Sequence, residues 1–250
     1  MNFNFLRTAG TKLRFMAQGL PVNFNPDKKA LIDYAYRHCY PAPTSFADLG
    51  GVWNVDGAYS FYILREYGAK HAFLVDTDFT DSVHQKSRSE KNLRLIRGNF
   101  GDELVAETIG MVDAIFMFDV LLHQVKPDWN EILESYSKRT DYFLVFNQQW
   151  TGSEQTVRLL DLGRDEYFRN VPHDKEHPTY AALFEKMNEI HPQHNRIWRD
   201  IHNVWQWGIT DHDLIQGMEK MGYKMQYYKN CGRFGSLPNF ENHAFVFQKT

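Results

Sequence analysis

The sequence predicts an α/β fold: a doubly wound sheet of seven strands with a C-terminal antiparallel hairpin and a helical insertion after strand five. Three observations predict it. Residues Phe46 to Thr80 read as strand, glycine turn, helix and strand. Short β-rich runs then alternate with helical stretches as far as Phe146, the pattern of parallel strands joined by crossover helices. Two final strands are joined by a link that lacks a helix, so they pair antiparallel.

The elements follow in order. Asn25 caps a helix that runs to about Tyr40, with Pro26 at its first position; Pro41 and Pro43 end it. Strand one is the apolar run opening at Phe46 and ending in Asp48-Leu49-Gly50-Gly51. A helix spans Gly57 to Tyr67, and strand two runs from His71 to Val75 and closes on Asp76. Thr77 to Asn92 is loop and helix, Leu93 to Ile96 strand three, and Gly101 to Ile109 helical. Asp113 to Phe118 is continuously apolar, as expected of a parallel strand covered on both faces. Lys126-Pro127-Asp128-Trp129 starts another helix, and Tyr142 to Phe146 is strand five.

From Gln148 to Gly208 histidine and aromatic residues cluster, and helical stretches such as Tyr180 to Ile190 have no strands between them. No flexible linker bounds this segment, so residues 148–208 read as an insertion within one domain spanning 1–250. Thr210 to Met221 is a helix with Thr210 and Asp213 placed as a capping box, and Gly222 follows it. Tyr223 to Tyr228 and Ala244 to Phe247 form the closing hairpin, linked through Asn230 to Asn242.

Parallel strands joined by a helix leave a crevice at their carboxyl ends, where glycines let a ligand approach the backbone. An acidic residue closing the second strand is placed to accept both hydroxyls of a ribose. An adenosine-containing cofactor is the first hypothesis from these residues. With Asp48, Gly50 and Gly51 beginning such a motif, the chain resembles the class I S-adenosylmethionine-dependent methyltransferases. It departs from them at Val52, where a second alternate glycine is expected; Gly57 then supplies the helix-opening glycine and Val52 to Asp56 an enlarged loop. The closing hairpin also separates this Rossmann-like sheet from a dinucleotide-binding one.

The resemblance, which covers Phe46 to the C-terminus apart from the insertion, implies a set of site residues. Asp48, Gly50 and Gly51 would lie near the methionine part of S-adenosyl-L-methionine, and Asp76 would hold the ribose, with Asp78 its competitor. Asn99 stands where the family reads adenine with a carboxylate, and Phe100 would pack on the purine face. Phe118 and Asp119 follow strand four, beside the cofactor. Each has a plainer alternative: the glycines a turn, Asp76 and Asp119 helix caps, Phe100 a core residue. Residues 1–45 resemble the helical cover of the cofactor crevice.

Methyl transfer is an in-line displacement at an activated sulfonium, so the protein mainly aligns the acceptor and excludes water. Oxygen or nitrogen acceptors gain from a base near the operating pH, and His123 is the candidate. Gln148, Trp150, His202 and Trp205 frame an acceptor pocket; lid and core packing is the alternative. The spacings of His173 with His177, and of His191 with His194, suit a metal pair on a helix, but Pro172, Pro178 and Pro192 break it, so no metal is expected.

Composition narrows the acceptor. A net charge of −3 and a pI near 6.4 give no footprint for nucleic acid. The Asn-Pro-Pro-Tyr/Phe pattern of nucleic-acid amino methyltransferases is absent after strand four. A small-molecule or glycan acceptor, methylated at oxygen, is therefore expected. The two cysteines, Cys39 and Cys231, suit reduced thiols in a cytoplasm. No run is long enough for an integral membrane segment. Phe5, Leu6, Leu13, Phe15 and Met16 would line a short basic helix, packed on the domain or a partner subunit or lying on a membrane, and a homo-oligomer is left open. Two other classes compete: a non-catalytic binding module of the same fold, and a nicotinamide-dependent oxidoreductase, which the missing GxGxxG spacing disfavours.

Overall fold

The computed structural model describes residues 24–174 and 176–250, so the basic N-terminal helix expected around Phe5 to Met16 lies outside the described residues. The chain divides into two compact units, Met1–Phe116 and Met117–Thr250. In the first, helix α1 (Pro26–His38) starts as expected, Asn25 Oδ1 accepting the N–H groups of Asp27 at 2.8 Å and Lys28 at 3.4 Å. Strands β1 (Ser45–Leu49), β2 (His71–Asp76) and β3 (Leu93–Arg97) are parallel, Ser45 opposite His71 and Ala72 opposite Leu93. Helices α2 (Ala58–Tyr67), α3 (Asp81–Ser87) and α4 (Glu103–Ile109) are the crossovers.

Asp113 fixes where β1 begins. Its Oδ2 accepts the N–H groups of Thr44 and Ser45 at 2.7 and 2.9 Å, while Ser45 Oγ accepts the Asp113 N–H. Burial acts to raise the Asp113 pKa, but these hydrogen bonds outweigh it and hold the carboxyl below its usual range. Strand β4 (Ala114–Phe118) is buried at every position, as its apolar sequence predicts.

In the second unit, helix α5 (Trp129–Ser137) leads to β5, which runs from Tyr142 to Trp150, four residues past the expected end. The polar run Asn147-Gln148-Gln149 stays in the sheet because β9 (Phe240–Lys249) pairs with it throughout, from Tyr142 opposite Gln248 to Trp150 opposite Phe240. Strand β8 (Tyr223–Arg233) pairs antiparallel with β9. The predicted closing hairpin is present and longer than expected. The seven strands follow the order β3-β2-β1-β4-β5-β9-β8, the Rossmann-like doubly wound sheet with its antiparallel end.

The segment after β5 is less helical than expected. Helices α6 (Arg164–Asn170) and α7 (Pro178–Ala182) are short, and the helix expected to Ile190 gives way to turns after Ala182. Leu183 is fully buried there and Phe184 and Met187 pack against the same core only partly buried, held by turns and not by a continued helix. A two-residue ladder, β6 (Val157–Arg158) with β7 (Trp207–Gly208), closes the segment. Its core gathers Leu159, Leu160, Tyr167, Leu183, Val204 and Trp205. Asp200 is buried beneath it, 2.9 Å from Arg158 Nη2 and 2.5 Å from Lys126 Nζ. Among the described residues no helix is long and apolar enough to cross a membrane.

Helix α8 (Asp211–Lys220) keeps half of its predicted capping box. Thr210 Oγ1 accepts the Asp213 N–H at 3.2 Å, but the Asp213 carboxylate accepts from Thr156 N at 2.6 Å instead of reaching back. Aspartate is one methylene shorter than the glutamate such a box uses. Beside it, His243 is 4% exposed, its Nδ1 2.7 Å from Asp211 Oδ1 and its Nε2 3.4 Å from Glu241 Oε2. Tyr228 O–H donates to the same Asp211. Burial pulls the imidazole pKa down, but Asp211 and Glu241 outweigh it and raise it. A histidine pKa raised by folding contributes stability that is complete below its unfolded value, about 6.5, and is lost as pH rises through the folded value. Thermal melts at pH 6 and pH 9 should therefore show a smaller pH-dependent fall in Tm for His243→Gln than for the parent; parallel falls would remove His243 from the ledger.

Candidate functional site

The first unit builds a cradle where β1 and β2 end. Gly50 N–H donates to Val75 O at 2.8 Å, continuing the strand pairing into the turn. A Cβ on Gly51 would collide with the Asp48 carboxylate, which lies directly beneath it. Asp48 is 1% exposed; its Oδ2 accepts from Ser60 Oγ at 2.8 Å, and its Oδ1 has no partner. Desolvation raises its pKa to about 6, against the opposing pull of Ser60 and Lys28.

The enlarged loop is compact. Asp56 N–H donates to Val52 O at 2.8 Å and Gly57 N–H to Gly51 O at 3.0 Å. Gly57 opens α2 at φ 69°, and a Cβ there would stand 2.7 Å from Leu74 Cδ2. It therefore serves the close helix–strand approach expected of a helix-opening glycine. Val52, the departure from the glycine pattern, buries its side chain with Leu74 and Val83. Its N–H donates to Asp76 Oδ2 at 3.0 Å.

That bond orients Asp76, whose Oδ1 also accepts Thr77 N–H at 2.8 Å. An ionised carboxylate offers about four lone-pair sites, so these donors do not saturate it. Asp76 is not a helix cap: Thr80 caps α3, accepting from Val83 N at 3.2 Å. Asp78, its competitor, is exposed and ion-paired with Arg97. Asn99 Oδ1 accepts Gly101 N–H at 2.9 Å, so the oxygen is engaged and the amide nitrogen is the group left to donate. Phe100 is buried.

The second unit carries the remaining candidates. Phe118 is buried at the end of β4, and Asp119 follows at φ 59°. Asp119 Oδ1 accepts from Gln148 Nε2 at 2.7 Å, and the same nitrogen donates to Asn242 Oδ1 at 3.1 Å. Asp119 therefore orients an amide and does not cap the 3₁₀ turn Leu121–His123, whose N-cap position is Val120. His123 Nδ1 lies 3.0 Å from the Val204 carbonyl. A carbonyl only accepts, so Nδ1 carries the proton and Nε2 the lone pair. Desolvation lowers the His123 pKa and keeps the ring neutral near pH 7.

The structure brings Trp205 beside His123, ring centroids 6.3 Å apart. Trp150 and Trp205 are both in the apolar core of the second unit, each against Phe240, and Trp150 Nε1 donates to Ser153 Oγ at 2.7 Å. His202 Nε2 lies 3.0 Å from Val125 O, where Arg196 also donates. Sequence reasoning missed Ser60, Asn242 and the buried amide Asn147. Asn147 Nδ2 donates to Gln149 Oε1 at 3.3 Å, leaving Asn147 Oδ1 and Gln149 Nε2 unpartnered. Three consecutive amides after Tyr142 to Phe146 were the signal for Asn147. Among the described residues no three His, Cys, Asp or Glu side chains converge to hold a metal.

No family model and no curated protein sequence matches the chain. Solved structures do. The N-terminal domain of EvdMO1, crystallised in the presence of SAH and D-fucose, aligns with a TM-score of 0.56 at 12% identity over 91% of this chain and 84% of that one. The 1,6-didemethyltoxoflavin-N1-methyltransferase of Burkholderia thailandensis aligns at 0.56 and 11% identity, over 99% and 89%. Magnesium protoporphyrin IX methyltransferase of Synechocystis PCC 6803, with bound SAM, aligns at 0.53 and 9% identity, over 90% and 78%. At these identities the likeness is one of fold, and the fold is that of these proteins.

A carboxyl whose pKa is raised by folding is protonated in the folded state when the unfolded one, near 3.9, is already ionised. The folded state then binds more protons, so Asp48 withdraws stability as pH rises from about 4 to about 6. Asp48→Asn removes this cost, and its Tm gain over the parent should be larger at pH 8 than at pH 4. A gain independent of pH would mean that Asp48 does not titrate there.

Proposed function

We propose that the chain is an S-adenosyl-L-methionine-dependent methyltransferase acting on a hydroxyl of a small-molecule or sugar acceptor. The observation that carries this reading is the Asp76 carboxylate, held at the end of β2 by the N–H of Val52 from the glycine loop with lone pairs to spare. Ribose hydroxyls are the groups such a carboxylate takes. Methyltransferases of the same fold that act on small molecules, the toxoflavin and protoporphyrin enzymes among them, support the acceptor class.

The cradle fits this cofactor. Gly50 and Gly51 admit it close to the backbone, and the unpartnered, buried Asp48 Oδ1 lies under the same loop. Asn99 donates through its amide nitrogen to a ring nitrogen of adenine, because its oxygen is engaged by Gly101. Phe100 packs on the purine, and Phe118 and Asp119 flank the cofactor. When bound, S-adenosylmethionine supplies an electrophilic methyl on a sulfonium. His123 Nε2 takes the proton of the acceptor hydroxyl, which burial favours by keeping the ring unprotonated. Gln148, oriented by Asp119 and Asn242, hydrogen-bonds the acceptor; Trp150, Trp205 and His202 shape the surrounding wall.

Calorimetric titration with S-adenosylmethionine, S-adenosylhomocysteine and NADH tests the reading. Binding of the first two and not of NADH is expected, and Asp76→Ala should weaken it at least about tenfold, roughly 1.4 kcal/mol, with an unchanged circular dichroism spectrum. Unaltered affinity rejects the ribose role, and silence from all three ligands favours a binding module that has lost the cofactor. His123→Ala should lower kcat at least about a hundredfold while S-adenosylmethionine affinity stays the same. Equal losses in both would assign His123 to packing.

A further inference from the structure

A cavity of about 450 Å³ opens in the segment after β5, lined by none of the residues assigned above. Its walls are Arg164, Asp165, Phe168 and Arg169 of α6, His173 from the following loop, and Tyr180 of α7. The volume falls in the range of small-ligand sites, about 300–1,000 Å³. The rings form a continuous aromatic lining: His173 is 4.6 Å from Phe168 and 6.0 Å from Tyr180, centroid to centroid.

Two features distinguish this cavity from a packing gap. Arg169 is paired with Glu166, but Arg164 has among the described residues only a loose ion pair with Glu185, at 3.8 Å between exposed side chains. Such a pair is worth little, so a guanidinium with its donors unspent stands at the edge of an aromatic lining. The second feature is His173. Its Nδ1 faces the Val171 carbonyl at 3.1 Å and so carries the proton, while Nε2 is buried with no partner. Buried polar atoms are nearly always satisfied, and here the described residues supply His173 Nε2 with no partner.

We infer that this cavity is a ligand site separate from the acceptor wall, and that its ligand is a hydroxylated aromatic acid: its ring lies against Phe168 and Tyr180, its carboxylate pairs with Arg164, and a hydroxyl donates to His173 Nε2. A planar guanidinium matches a carboxylate in a bidentate fork, and aromatic walls favour a flat ring over an aliphatic chain. The inference rests on the cavity alone and goes beyond the methyltransferase reading.

The test is titration of the full chain with 1-hydroxy-2-naphthoate and with its uncharged methyl ester, alongside S-adenosylhomocysteine on the same samples. The acid should bind at least about tenfold tighter than the ester. Arg164→Gln should bring the acid to the level of the ester, and Phe168→Ala should weaken both at least about tenfold, neither changing S-adenosylhomocysteine affinity. Equal binding of acid and ester by the parent, or a preference that survives Arg164→Gln, overturns the inference. Binding of S-adenosylhomocysteine without the acid sinks the cavity assignment and spares the methyltransferase reading. Binding of the acid through Arg164 and Phe168 without S-adenosylhomocysteine does the reverse.

Discussion

The hydrogen bond from Val52 N–H to the Asp76 carboxylate joins the ends of two parallel strands, and the cradle takes its form from it. For the bond to form, the chain after β1 must turn at once, which Gly50 does while still paired to Val75. The turn lies on the Asp48 carboxylate, leaving Gly51 no room for a side chain. The loop must then return to the sheet closely enough for α2 to start against Leu74, which sets glycine at residue 57. Three glycines and two carboxylates thus answer to one geometric demand. The burial of Asp48 is its cost, since a carboxyl with one oxygen unpartnered is an unfavourable thing to enclose.

The second unit meets the opposite problem, polar groups inside a strand. Between β4 and the end of β5 the chain brings Asp119, Gln148 and Asn242 together through a single amide nitrogen. On the strand's alternate positions, Asn147 and Gln149 bond one another and leave two atoms over. Nearby, Arg158 and Lys126 compensate Asp200, whose pKa stays low although burial acts to raise it. Removing one partner of such a buried pair is far more damaging than replacing the pair as a whole.

The strand–turn–helix–strand unit at Phe46 to Thr80, the α1 cap at Asn25 and the closing hairpin were legible because periodicity and capping residues are local signals. The end of β5 was not, because three amides look like a loop until β9 is seen to pair with them. The helix expected to Ile190 was misread for a different reason: Tyr180, Leu183, Phe184 and Met187 have helical spacing and do reach the core, but the last three do so from turns after Ala182. In the cradle, Asp76 could be singled out from its place after an apolar run, but its orientation could not. The donor is a backbone N–H, which every residue but proline has and no side chain advertises. The ring-lined cavity was equally hidden, since α6, a loop and α7 build it jointly.

The two-residue ladder of β6 and β7 has a consequence for how such a protein can change. Val157 lies opposite Gly208, and Trp150 N–H reaches Ile209 O at 2.7 Å, so the chain leaves and rejoins the sheet at neighbouring points. The apolar cluster of the intervening stretch is completed by Leu122, Trp150 and Phe240 from outside it, and lengthening a loop whose ends already meet costs little entropy. Residues 159–206 can therefore vary in length at their turns, whereas a wholesale replacement would have to supply again the groups that meet His123, Lys126 and Phe240.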